Sequence, residues 1–130
     1  MKNNYQHLLN ILEKGEHAIL GTLFNKKGSA PQVPGASAIF NSNGLVEGTL
    51  GGGILEDEAE QLAIENIHCK TNLIRTIQYD ARVEDKKGAI CGGQATYILD
   101  FEPELNRRAF DSMNHSLLNG KSGFLITLIN

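Results

Sequence analysis

The stretch Gly48–Gln61, GTLGGGILEDEAEQ, restricts the fold of this chain more than any other segment. Gly48, Gly51, Gly52 and Gly53 fall within six positions, and Glu56, Asp57, Glu58 and Glu60 follow within five. Upstream, ASAIFN and LVEGTL flank Asn43-Gly44, a pair that tolerates positive φ and suits a tight hairpin. Two antiparallel strands, about residues 36–41 and 45–50, therefore deliver the chain to the glycines. Downstream, Leu55, Ala59, Leu62, Ala63 and Asn66 share one helical face over about residues 54–67, with the acids on the other. The segment reads as hairpin, glycine turn, helix.

That junction admits two readings. Backbone N–H groups at a helix start carry partial positive charge and hold an anion, and glycine lets a ligand approach closely. The same glycines also suit a tight strand-to-helix turn packed beneath another element. No Lys-Ser/Thr follows the last glycine, so the loop is not a P-loop, and it does not match GxGxxG. Carboxylates in a first helical turn offset the helix dipole, by roughly 0.3–1 kcal/mol each. They also repel a simple phosphate. A ligand with an anionic end and a hydrogen-bond-donating end fits better, with Glu56 accepting from the latter.

The rest of the chain supplies more periodic segments. Leu8, Leu9, Ile11 and Leu12 mark an opening helix that stops at Gly15. Strands are expected at His17–Phe24, Leu73–Tyr79, Ala95–Phe101 and Gly123–Ile129, and a helix at about residues 104–118 with Leu105, Phe110, Met113 and Leu117 as its apolar side. Ser29–Gly35 holds Pro31 and Pro34 and reads as a rigid loop. Residues 80–90 read as a charged loop. This order predicts one α+β domain over residues 1–130, a mixed β-sheet flanked by helices.

Composition excludes several classes. The 130 residues are 41% hydrophobic and 21% charged, as in an ordinary globular domain. A net charge of −3 argues against nucleic acid as a partner, and no run reaches the roughly 18 apolar residues of a membrane span. With no secretory signal, Cys69 and Cys91 read as reduced thiols in a cytoplasmic protein. Cys91-Gly92-Gly93, with Lys86 and Lys87 upstream, reads either as an exposed thiol favoured as thiolate or as a small buried apolar residue. The histidines fall at no metal-binding spacing, and His68-Cys69 needs distant ligands to hold a metal.

Taken together, Gly28-Ser29-Ala30-Pro31, Pro34-Gly35-Ala36, Asn43-Gly44, Gly48–Glu56 and Cys91-Gly92-Gly93 resemble the XdhC/CoxI family, over about His17–Pro103. The resemblance implies an accessory protein rather than a catalyst. Such a protein binds molybdenum cofactor transiently, protects it while its terminal sulfur is installed and hands it to an apo molybdenum hydroxylase such as xanthine dehydrogenase. It implies cofactor contacts at Ser29, Pro31, Gly51, Gly52, Gly53, Glu56, Cys91, Gly92 and Gly93, with Cys91 near the molybdenum. It also implies a cysteine desulfurase, a separate Rossmann-like half and a second copy as partners, since the family's C-terminal Rossmann-like half is absent from this sequence. Gln32 stands where the family often has Arg, and Ile54 where it often has Cys. A cysteine-dependent sulfur-relay enzyme and a protein-docking domain without cofactor are the alternative readings.

Overall fold

The computed structural model describes residues 4–28, 33–78 and 93–129. Helix α1 (Asn4–Glu13) leads into β1 (Ile19–Lys27), followed by β2 (Ser37–Asn41), β3 (Gly44–Gly48), α2 (Gly53–Glu65), β4 (Leu73–Gln78) and β5 (Gln94–Asp100). A short 3-10 turn, Pro103–Asn106, opens α3 (Arg107–Leu118).

The five strands form one sheet in the order β3-β2-β1-β5-β4. The α+β class and the flanking helices stand as expected. The sheet, however, is antiparallel at all four strand pairings, not mixed. A parallel pair needs a crossover between neighbours. The α2 crossover instead joins β3 to β4, the two opposite edges, so these strands point the same way without touching. Nor does Gly123–Ile129 join the sheet: among the described residues it forms no ladder. It keeps a strand's alternation all the same, with Phe124, Ile126 and Leu128 at 97%, 78% and 88% exposed against 36% and 37% for Leu125 and Ile129.

The hairpin forms as expected, one residue earlier. Asn41 pairs with Gly44, so Ser42 and Asn43 make the turn, and the Asn41 side-chain oxygen accepts from the Asn43 N–H at 2.8 Å. Gly44 then opens β3 at φ 114°.

Strand alternation divides the core in two. Ile19, Leu23, Ala38, Phe40, Tyr97 and Leu99 face α2, joined by Leu50 and Leu55. Leu20 and Ile39 face the opposite side, against Leu8, Leu9 and Leu12 of α1 and Phe110 of α3. Gly21 sits on the α2 face because a Cβ there would lie 3.1–3.3 Å from Phe40, Leu50 and Leu99. Phe110 is the single buried residue of α3. Leu105 and Leu117, expected on its apolar side, are 74% and 46% exposed. The expected stripe is wider than the face α1 and the sheet actually cover.

Candidate functional site

Strand directions decide which loops meet. β1, β3 and β4 end, and β2 and β5 begin, at the same end of the sheet. The glycine turn leaves β3 there. Gly93, buried, precedes β5 there as well. Ser29, Pro31, Cys91 and Gly92 lie outside the described residues; β1 ends just before the first pair and β5 begins just after the second.

The turn itself is built from left-handed glycines. Gly48, Gly51, Gly52 and Gly53 have φ of 84°, 122°, 70° and 59°. At Gly48 the requirement is also steric, since a Cβ would collide with the Ser37 carbonyl and Ala38. At Gly52 and Gly53 it is only conformational: a Cβ at either meets nothing within 4 Å. The turn is therefore open to the outside, not packed beneath another element. Gly52 caps α2 without a side-chain cap, so the first-turn amides of the helix have no side-chain acceptor at the cap.

The acids of α2 do not crowd this opening. Glu56 folds back on the preceding loop, where its Oε1 accepts from the Thr49 hydroxyl at 2.7 Å and the Leu50 N–H at 2.9 Å. Thr49 in turn accepts from the Gly51 N–H at 2.9 Å. Glu60 reaches the hairpin and accepts from the Leu45 N–H at 2.8 Å. Glu58 accepts from the Tyr97 hydroxyl at 2.5 Å. Burial, and then the hydrogen bond and charge of Glu58, push the Tyr97 phenol far above its ordinary value, with Arg75 pulling weakly the other way. Tyr97 thus stays a donor. The acids, expected on the face opposite the apolar one, reach the protein at three positions: Glu56, Glu58 and Glu60 bind loop, β5 and β3, while Asp57 is exposed. Sequence periodicity missed this because a carboxylate on the flank of a helix reads the same whether water or a strand lies beside it. Tyr97 was missed with it; its only sequence signal was a lone phenol inside an apolar strand.

Glu58–Tyr97 also sets the level of the helix along the sheet. Six residues from Glu58 back to Gly52 rise about 9 Å, and four from Tyr97 back to Gly93 rise about 13 Å. The open end of α2 thus lies toward the start of β5. Elsewhere, Cys69 carries a free thiol engaged with Thr71, and among the described residues no three His, Cys, Asp or Glu side chains gather to hold a metal. No described helix is long and apolar enough to cross a membrane.

The glycine turn falls inside a match to a known family. The model for the XdhC and CoxI family matches residues 11–80, which include β1 through β4. A probable xanthine dehydrogenase subunit of Bacillus subtilis (strain 168) is 31% identical over 126 residues, 94% of this chain and 38% of that protein. The crystal structure of a xanthine dehydrogenase from Bacillus halodurans superposes with a TM-score of 0.63 at 22% identity, over 88% of this chain and 36% of that one, and shows a shared fold. The chain thus spans little more than a third of the length of either protein. With the family model covering more than half of its residues, this chain belongs to the XdhC and CoxI family.

Proposed function

We propose that this chain is the cofactor-holding part of an accessory protein that carries molybdenum cofactor to a molybdenum hydroxylase of the xanthine dehydrogenase type. Family membership and the name of the Bacillus subtilis relative support the accessory role. The observation that supports the binding site is the open turn at Gly52 and Gly53, left-handed glycines at a helix start where an added Cβ would meet nothing within 4 Å. This suits a ligand with a phosphate at one end and a pterin edge at the other.

In this reading the first-turn amides of α2 hold the phosphate, and the glycines let the ring system approach the backbone. Glu56 shapes the turn through Oε1 and offers Oε2 to an amino group. Ser29, Pro31 and Cys91-Gly92-Gly93 are the further cofactor contacts of this reading, with Cys91 as the soft sulfur ligand suited to the metal. The bound group supplies the molybdenum chemistry of the client enzyme; the chain binds, orients and shields it. A cysteine desulfurase is the companion this role calls for, in the cytoplasm.

Native mass spectrometry of protein purified anaerobically from cells that make molybdenum cofactor tests this. The wild type should carry the cofactor's mass. Gly53→Ala should lose it while remaining folded, since an L residue at left-handed φ costs only about 1–2 kcal/mol. A wild type that neither retains nor takes up cofactor overturns the proposal. Exposed Leu105, Leu117, Leu118 and Phe124 favour a second reading, a docking domain without cofactor. It requires capture of the apo-hydroxylase by cofactor-free protein.

A further inference from the structure

Three carboxylates fix α2, and they point in three directions. Glu56 ties it to the loop before it, Glu60 to β3 on one side and Glu58 to β5 on the other. The buried residues of α2 are Leu55, Ala59 and Ala63, two of them carrying a single methyl group, and Leu62, partly buried, packs against the same core. Alanines let a helix sit close to a sheet but specify its roll and slide poorly, because they offer no side chain to interlock. The polar ties therefore act beside Leu55 and Leu62 in setting its position. Of the three, the Glu58 bond alone reaches the strand that Gly93 leads into.

We propose that Tyr97 and Glu58 are positioning residues for the ligand site: the hydroxyl of Tyr97, fully buried on β5, holds Glu58 of α2 and so fixes the separation between the open glycine turn and Gly93 at the start of β5. The inference rests on the cofactor reading above. It differs from ordinary satisfaction of a core phenol in what the bond spans. Its two ends lie on the two elements whose starts bound the site, and losing it frees one wall to move against the other. The core beneath, with Phe40, Leu50 and Leu99, remains packed.

A control lies on the same strand. The Thr96 hydroxyl, on the opposite face of β5, pairs with that of Thr76 at 2.9 Å. Thr96→Val thus removes a hydroxyl hydrogen bond from β5 without touching α2. Full-length wild type, Tyr97→Phe, Glu58→Ala, Glu58→Gln and Thr96→Val would be compared by amide hydrogen exchange and by anaerobic titration with molybdenum cofactor released from a molybdenum enzyme. Tyr97→Phe and Glu58→Ala should each speed exchange across Gly51–Leu55 and weaken cofactor binding about tenfold, the low end of losses when partners behind a ligand site are removed. Glu58→Gln, which still accepts a hydrogen bond, should stay within about threefold of wild type. Thr96→Val should change neither readout. Wild-type exchange at Gly51–Leu55 in folded Tyr97→Phe or Glu58→Ala, or equal effects from Thr96→Val, overturns the inference. Should Tyr97→Phe fail to fold, Glu58→Ala, on the helix surface, decides alone. A wild type that binds no cofactor defeats the functional reading, while the exchange comparison still decides whether the pair positions the turn.

Discussion

The two faces of the sheet are covered very differently. Among the described residues, thirteen buried ones form one cluster on the α2 side, and three carboxylates tie the covering helix to its surroundings. On the α1/α3 side the cluster has seven described residues, and α3 contributes only Phe110 to it, stacked on Tyr5 with ring centroids 5.7 Å apart. Beyond Phe110 an open groove runs between α3, the sheet at Thr22 and Ile98, and the Gly123–Leu128 segment. The lesson is a division of labour. The face that carries the glycine turn is the one with the larger buried cluster.

Matched truncations test that contrast most strongly. Phe40→Ala, in the α2-side cluster, should cost about 3–5 kcal/mol, because the surrounding side chains cannot collapse into the void. Phe110→Ala should cost about half as much, near 2 kcal/mol, since the thinner face relaxes into the loss. Urea denaturation of both variants measures the gap. Equal losses would mean the two faces are equally well packed.

A smaller effect is expected at Asp100, which lines the groove. Burial raises its carboxyl above the ordinary range, opposed by the Glu102 N–H and aided by the Glu104 and Glu102 charges. A raised native value means the folded protein holds this proton more tightly than the unfolded chain, so stability declines as pH rises through that value. Asp100→Asn, which keeps an acceptor for Glu102, should therefore stabilise at neutral pH by a fraction of a kcal/mol, the group being about half exposed and screened. The advantage should fade as pH falls and the wild-type carboxyl takes up its proton. Denaturation at several pH values reports the trend; a stabilisation that grows toward acid pH contradicts it. Least of all should Leu118→Ser matter. Leu118 is 65% exposed, and the change should stay within about 0.5 kcal/mol in thermal melts.

Much of this was legible in the sequence because it is local. Hairpin, glycine turn and helix follow one another along the chain, and each carries its own signal in turn residues or period. The sheet's direction was not legible, because it depends on which edges α2 connects. Gly123–Ile129 has a strand's pattern, but pattern does not provide a neighbour to pair with. The candidate site was half legible. Glycines at a helix start announce an opening, yet the partners of Glu58 and Glu60 lie on strands whose placement beside α2 no spacing reveals.

The reach of those carboxylates bears on how the molecule assembles. Glu56 contacts a group six or seven residues away, and Glu60 one fifteen residues away, so hairpin and helix close short loops upon themselves. The central β1–β5 ladder must instead bring Leu20 to Asp100 across most of the chain. Short loops cost less entropy to close than long ones. Loop length alone therefore predicts that the hairpin–α2 unit, with the glycine turn at its centre, forms before the central ladder closes beside it. The Glu58–Tyr97 bond, thirty-nine residues apart, joins α2 to β5 and so is expected to form with that later closure, when the two halves of the sheet come together.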